Sequence, residues 1–330
     1  MISAIAVILN FIIFFLAGFL ILKSTDVFVK GAVEVSAALT LSKVLVGATL
    51  VSLITTTPEF AVSTTSSYVG QTGMAVGTAV GSCICNVGLV LAVGCIIRDI
   101  TVRKDDLKYR IVYLVVALSV AYLFMSSGVV SREDAVVMLA VLIIFLVHNY
   151  SMAVKHRRRE HELYELLDEA VGPRRDKATL RKGAISLLFG GVATVLLAQY
   201  GLLESGLNIA ILFNVPPILV GLSLVAVGTS LPDLFVAVVS SRKQHGEIVL
   251  GDVIGANILN LLGVLGIAAL IRPLPVDTQT LDFNMPVAIF ITLIMLALAG
   301  RSLQFRRKAG ILLLGVYVTY LMVLFTFVYR

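Results

Sequence analysis

The sequence predicts an all-α membrane protein of ten transmembrane helices, arranged as two inverted five-helix repeats. The chain of 330 residues is 58% hydrophobic and only 14% charged, whereas a soluble domain carries about 25% charged residues. Apolar stretches of about 20 residues, each long enough to cross a bilayer core, recur along the whole chain. The two halves of the chain also match each other at a constant offset of 174 residues.

The apolar stretches define ten predicted spans. The first has no basic segment before it and no small-residue cleavage site after it, so we expect a retained span rather than a signal peptide. The second and seventh are too long for one straight crossing, and each is expected to bend or break. The spans are predicted at about 3–22, 33–67, 74–97, 109–127, 134–154, 183–202, 207–240, 247–271, 283–300 and 309–329.

The basic residues predict the orientation of these spans. If both termini are extracytoplasmic, 22 of the 26 Lys and Arg residues lie in inward-facing loops, as the positive-inside rule requires. They include Lys23, Lys30 and nine residues of 155–182. This asymmetry explains the net charge of +6, so no nucleic-acid partner is inferred. The prediction is a multi-pass protein of the cell membrane whose partner is the lipid bilayer, and the oligomeric state stays open.

The internal repeat divides the chain into two units. Thr55–Glu59 overlies Thr229–Asp233, and the register continues without a gap until Asn86 overlies Asn260. Each copy contains five predicted spans, an odd number, so the second copy must enter the membrane upside down. Inverted repeats of this kind are typical of secondary transporters. The predicted units are 1–154 and 183–330, joined by a basic cytoplasmic linker at 155–182.

Two acidic residues, Glu59 and Asp233, interrupt otherwise apolar spans. A charge at membrane depth is costly unless it is paired or faces a hydrated cavity, so such residues mark ion pathways. Lys43 is the nearest basic residue to Glu59, and the 16 residues between them correspond to about 24 Å along a straight helix. Pairing therefore does not explain these acids, and the sequence predicts an ion site.

A proline directly precedes each acid. Pro58 and Pro232 lack an amide hydrogen and clash with the carbonyl group four residues earlier, which frees that oxygen. Broken helix at membrane depth is tolerated only where it lines a protein-enclosed or wet cavity. Thr55 and Thr229 lie four residues before the acids, on the same face of the helix. Carboxylate, hydroxyl and carbonyl oxygens together suit hard cations such as Ca²⁺ and Na⁺.

The third and eighth spans are predicted to form the other wall of the site. Ser82 and Asn86 lie one turn apart, as do Ala256 and Asn260. Because Ser82 and Ala256 both follow an acid by 23 residues, we expect both to face the ions. Asp252 lies one turn before Ala256, and we interpret it as an entrance residue rather than a ligand.

Two other features have alternative interpretations. Cys83, Cys85 and Cys95 lie in or near the third span; a Cys-x-Cys metal site competes there with packing by a small side chain, which we favour. The Glu160–Glu169 stretch of the linker is either a regulatory ion-binding helix or a solvated amphipathic linker, and we favour the second.

These motifs resemble the α-repeats of the Ca²⁺/cation antiporter superfamily, specifically its Na⁺/Ca²⁺ exchanger branch. The match is specific at Gly228–Asp233 and Gly251–Asn257, and looser in the first repeat, where Ile54 replaces the usual glycine. The resemblance implies Ca²⁺ ligation by Thr55, Glu59, Thr229 and Asp233. It also implies candidate Na⁺ ligands at Ser52, Ser82, Asn86, the backbone of Ala226, Ser230 and Asn260.

The departures from the family pattern leave the coupling ion open. Cys83 replaces the usual asparagine and Ala256 the usual serine, so one Na⁺ site has lost a hydroxyl. Asn260 stands where the K⁺-dependent exchangers carry aspartate, which argues against K⁺ co-transport.

The predicted function is exchange of Ca²⁺ for Na⁺ by alternating access, with both ions as substrates and without a cofactor. One alternative is a Ca²⁺/H⁺ antiporter of the same fold, and another is a passive cation channel. An integral membrane enzyme is disfavoured, because the sequence shows no nucleophile–base set and no metal motif.

Overall fold

The computed structural model describes residues 4–39, 41–166, 177–205, 208, 226–299 and 304–328. Nearly all of these residues are helical. The helices are α1 (Ala4–Ala38), α2 (Lys43–Thr55), α3 (Thr57–Tyr68), α4 (Thr72–Ile97), α5 (Lys104–Met125), α6 (Arg132–Leu166), α7 (Lys177–Leu196, continued by the π-helical segment Leu197–Leu203), α8 (Ala226–Thr229), α9 (Leu231–Arg242), α10 (Gly246–Ile271), α11 (Thr280–Ala299) and α12 (Arg307–Val328). The strands are β1 (Ile100–Thr101), β2 (Val129–Val130), β3 (Leu274–Pro275) and β4 (Gln304–Phe305).

The helices confirm a multi-pass membrane protein. Within the described residues, eight helices are long and apolar enough to cross a bilayer, and the number is nine if α2 and α3 form one broken span. The predicted span at about 207–240 begins in a stretch that, apart from residue 208, lies outside the described residues until 226.

Helix α1 corrects the predicted boundaries of the first two spans. It continues without interruption to Ala38, so the predicted end at 22 and the predicted restart at 33 are both wrong. The segment after Leu22 is more polar but contains no proline, and Gly31 packs against the backbone of α7 at Leu187. This close packing stabilises the extra turns. Lys23 and Lys30 therefore lie within α1 and not in a loop.

Both ends of the predicted linker 155–182 are helical. Helix α6 continues to Leu166, beyond the predicted end at 154, and α7 begins at Lys177. Residues 160–166 of the Glu160–Glu169 stretch are thus helical, and its remaining residues lie outside the described part of the chain.

The two halves repeat in their element bounds as well as in their sequence. The bounds of α9 equal those of α3 shifted by 174 residues, and the bounds of α10 equal those of α4 shifted by the same number. Strands β1 and β3 are related by this offset, and β2 and β4 by one residue more. Strand β1 nevertheless pairs with β4, and β2 with β3. Each antiparallel pair therefore takes one strand from each half of the chain.

The predicted breaks before the acids are confirmed at both positions. Helices α2 and α3 meet at an angle of 44°. A single residue, Ser230, separates α8 from α9. The single linking residues have nearly the same backbone angles, with φ −77° and ψ −1° at Thr56 and φ −85° and ψ 6° at Ser230. Pro58 and Pro232 each occupy the first turn of the following helix, where a missing amide hydrogen costs nothing.

Helices α2 and α10 approach each other through glycines. A Cβ atom at Gly47 would lie 2.5 Å from the carbonyl oxygen of Ile248, and one at Gly255 would lie 2.6 Å from that of Ala48. Gly251 is closer still to the backbone of α2 at Val44. Only residues without a side chain permit such contact. It places the end of α2, with Thr55, beside the middle of α10.

Candidate cation site

The Glu59 carboxyl group lies at the start of α3 and is 1% exposed. Ser82 of α4 donates a hydrogen bond to Glu59 Oε1 at 3.3 Å, and Ser230, at the second helix break, does so at 3.5 Å. The two hydroxyl oxygens are 3.4 Å apart. Thr229 also interacts with the Glu59 carboxyl group, while Glu59 Oε2 has no hydrogen-bond partner among the described residues. Glu59 thus meets hydroxyl groups from both halves of the chain.

Asp233, at the start of α9, has a matching environment. It is 1% exposed, and the Thr55 hydroxyl and the Asp252 carboxyl group both interact with it. Its Oδ1 atom has no hydrogen-bond partner within the described ranges. Asp233 and Glu59 are close enough to interact electrostatically.

The threonines contact the acids differently from the sequence interpretation, which placed each threonine with the acid of its own helix. In the structure Thr55 interacts with Asp233 and Thr229 with Glu59. The breaks at Thr56 and Ser230 redirect the chain between each threonine and the acid that follows it. Each threonine therefore contacts the acid that belongs to the opposite half of the chain.

The interpretation of Asp252 as an entrance residue is wrong. Its side chain is 1% exposed, and Thr55 Oγ1 donates a hydrogen bond to Asp252 Oδ1 at 3.2 Å. The same rule that singled out Glu59, an acid within an apolar span, applies to Asp252 and would have found it. The glycine contacts between α2 and α10 bring it to the site.

Two asparagines meet across the halves. Asn86 Nδ2 donates to Asn257 Oδ1 at 3.1 Å, and Asn257 Nδ2 donates to the carbonyl oxygen of Cys83 at 3.3 Å. Asn260 is equivalent to Asn86, but the equivalent of Asn257 is Cys83, which offers no matching acceptor. Both polar side-chain atoms of Asn260 consequently lack a hydrogen-bond partner in the described part of the chain, although the residue is fully buried. Asn257 is a polar residue that the sequence analysis did not assign.

The remaining candidates lie at the margins of this cluster. Ser52 is buried in α2 and contacts the position of Gly255, while donating a hydrogen bond to the Thr49 carbonyl at 3.3 Å. Ala226 is the first residue of α8. Ala256 is buried in α10 and offers no hydroxyl group at the position equivalent to Ser82.

The described residues provide carboxylates and neutral oxygens rather than a preformed cluster of acidic or soft ligands. The ion pairs of Lys43 with Glu247 and of Lys243 with Asp26 involve none of the buried acids of the site. In the same ranges no three His, Cys, Asp or Glu side chains converge closely enough to hold a metal by themselves. The three cysteines are buried free thiols. Any cation bound here therefore also needs hydroxyl, amide or backbone oxygens.

One known protein family matches most of the chain. The family described as "Sodium/calcium exchanger protein" matches in two stretches, residues 9–151 and 183–326.

Individual relatives match over nearly their full length. The putative antiporter CaxA of Alkalimonas amylolytica is 30% identical, over 95% of this chain and 98% of the relative. The sodium/calcium exchanger MaX1 of Methanosarcina acetivorans is also 30% identical, over 96% of this chain and 98% of its own. Among solved structures, the sodium-calcium exchanger NCX_Mj soaked with Na⁺ and Sr²⁺ superimposes with a TM-score of 0.82 at 29% identity, covering 96% of this chain and 99% of that one.

Proposed function

This chain belongs to the sodium/calcium exchanger protein family, and we propose that it exchanges Ca²⁺ for Na⁺ across the membrane by alternating access. Membership makes it a cation antiporter and places it outside the enzyme classes. The observation that carries the proposal is the convergence of Glu59 from one half with Asp233 from the other, each buried and each met by hydroxyl groups. Na⁺ as the coupling ion is supported by the name of the relative MaX1.

The spacing of the oxygens favours a cation over simple hydrogen bonding. Hydroxyl–oxygen hydrogen bonds are usually about 2.7–2.8 Å long, whereas those among Glu59, Ser82 and Ser230 are 3.3–3.5 Å. Two oxygens that bind Ca²⁺ at about 2.4 Å and at right angles are about 3.4 Å apart. The cluster has the spacing of ligands that share an ion.

We assign the ligands by chemistry. A divalent cation is neutralised by two carboxylates, so Ca²⁺ takes the two acids and the threonine hydroxyls. Na⁺ requires fewer charges and uses neutral oxygens. The buried Asn260 amide is a strong candidate, because its polar atoms have no hydrogen-bond partner among the described residues. Because several oxygens are shared, the two ions compete, and this competition enforces exchange. The proposed Ca²⁺ ligands are Thr55, Glu59, Thr229 and Asp233, and the proposed Na⁺ ligands are Ser52, Ser82, Asn86, the backbone of Ala226, Ser230 and Asn260.

We further propose ten spans in two inverted units, 1–154 and 183–330, joined by the linker 155–182. The exchanged strand pairs support this arrangement, since a strand of each half pairs with a strand of the other. Equivalent positions also touch, because Asn257 donates a hydrogen bond to Cys83, its counterpart at the 174-residue offset. Equivalent residues can contact each other only near an axis that relates the two halves.

Both termini are proposed to be extracytoplasmic, on the basis of the basic segments at 98–110, 242–243 and 301–308. An alkaline phosphatase fused to the C-terminus is expected to be active, since that enzyme folds outside the cytoplasm, and a fluorescent protein fused there is expected to stay dark. The reverse pattern would show that the orientation is inverted.

The function is tested with ⁴⁵Ca²⁺ uptake into proteoliposomes, with Na⁺, H⁺ and K⁺ gradients imposed one at a time. An outward Na⁺ gradient at clamped pH is expected to drive Ca²⁺ accumulation, and a K⁺ gradient is expected to add nothing. Uptake driven only by the pH gradient would identify a Ca²⁺/H⁺ antiporter instead. Passive Ca²⁺ equilibration with single-channel currents would contradict exchange altogether.

A further inference from the structure

The carboxyl group of Asp252 is the feature of the site that the proposed ligand set does not use. It lies in the first half of α10, is 1% exposed, and accepts a hydrogen bond from Thr55 at 3.2 Å. Its other oxygen, Oδ2, has no hydrogen-bond partner within the described residues. A buried carboxylate with an unpartnered oxygen is strongly destabilising unless a positive charge compensates it.

No described basic side chain supplies that charge. The ion pairs of the described residues lie elsewhere, at Lys43 and Lys243. The charged neighbours of Asp252 are instead two further acids, Asp233 and Glu59. The three carboxyl groups thus interact electrostatically, with no described basic side chain among the charged neighbours of Asp252, and this arrangement favours a bound cation.

The two halves are unequal at this position. The residue equivalent to Asp252 in the first half is Thr78, a buried but uncharged side chain. The Glu59 side of the site therefore contains one carboxyl group and the Asp233 side contains two. Thr55 connects the two acids of the Asp233 side, since its hydroxyl interacts with both.

We propose that Asp252 is a further carboxylate ligand of the transported divalent cation, acting beside Asp233 and Thr55. This inference rests on the proposed function, because it adds a ligand to the same site. The 3.2 Å separation between Thr55 Oγ1 and Asp252 Oδ1 is again longer than a typical hydroxyl hydrogen bond and close to the spacing of two oxygens on one Ca²⁺. A trivalent lanthanide prefers the same oxygen ligands as Ca²⁺ and is attracted to the same acidic groups.

Terbium provides a probe of ligation that is independent of transport. The purified full chain is titrated with Tb³⁺ in detergent at one fixed pH, and the luminescence lifetimes in H₂O and D₂O give the number of waters on the bound ion. Replacing Asp252 with asparagine, which has the same shape, is expected to weaken Tb³⁺ binding about tenfold or more and to add about one or two waters to the ion. Ca²⁺ competition against Tb³⁺ is expected to weaken in parallel.

The control is Glu247→Gln. Glu247 lies in the first turn of the same helix and pairs with Lys43. This variant is expected to leave the luminescence lifetimes unchanged. Asp252→Thr, which copies the first half, provides a second variant if the asparagine variant is not monodisperse. An unchanged affinity and water count in both Asp252 variants would overturn the proposal. If wild-type protein binds Tb³⁺ but fails to exchange Ca²⁺, the proposed function fails while the ligand assignment survives.

Discussion

Replacing Glu59 with glutamine is expected to lower Na⁺-driven Ca²⁺ uptake by about 100-fold or more, and Asp233→Asn is expected to do the same. Two unit charges 4 Å apart interact with about 4 kcal/mol at an effective dielectric constant of 20, and a divalent ion doubles this. Losing even about 2.8 kcal/mol of binding free energy corresponds to a 100-fold loss of affinity. Both amides keep the shape of the acid, so the buried hydroxyl contacts of each site remain available to hold the fold.

The matched control for these variants is Glu133→Gln, which removes an acid that is fully solvent-exposed at the start of α6. It is expected to transport Ca²⁺ as wild type does. Size-exclusion profiles of all three variants establish that the protein is intact. Wild-type Ca²⁺ uptake by either the Glu59 or the Asp233 variant would refute the assigned site.

Replacing Gly251 with alanine is expected to destabilise the protein by about 3 kcal/mol, at the upper end of typical overpacking costs. The added Cβ would overlap the carbonyl oxygen of Val44 and lie 3.0 Å from the amide nitrogen of Ala48. Both are backbone atoms of α2 that cannot rotate away. The two helices must separate, and Thr55 then moves away from Asp252.

The equivalent residue of the first half supplies the control. An added Cβ at Gly77 meets nothing within 4 Å, so Gly77→Ala is expected to be neutral or to stabilise the helix by up to about 1 kcal/mol, because alanine has the higher helix propensity. A thiol-reactive dye measures the Tm of both variants, since Cys83, Cys85 and Cys95 are buried and become reactive on unfolding. Equal Tm values would contradict the close packing of α2 and α10.

The sequence predicted the breaks and the buried acids because both arise from local chemistry. Pro58 and Pro232 cannot continue a helix regardless of their neighbours, and the structure has breaks at Thr56 and Ser230. Acids within apolar spans must be enclosed by protein, and Glu59 and Asp233 are almost fully buried. A repeat offset is likewise visible in the sequence alone, and the bounds of α9 and α10 follow it.

The incorrect predictions concern features that tertiary packing determines. The polar residues after Leu22 indicated a loop, but α1 continues to Ala38 because its glycine contact with α7 favours helix there. The threonines were placed with the acids of their own helices, since the sequence shows only neighbours along the chain. Asp252 was assigned to an entrance by its position along the span, which does not reveal the face it presents.

The sequence by itself determined the membrane class, the family, the two helix breaks and the pair of central acids, since hydrophobicity and the missing amide hydrogen of proline act within a few residues. Only the tertiary structure decided that Thr55 meets Asp233, that Thr229 meets Glu59 and that Asp252 joins them. These contacts join residues more than 150 positions apart. They depend on how closely α2 and α10 pack, which is set by the shapes of both halves together.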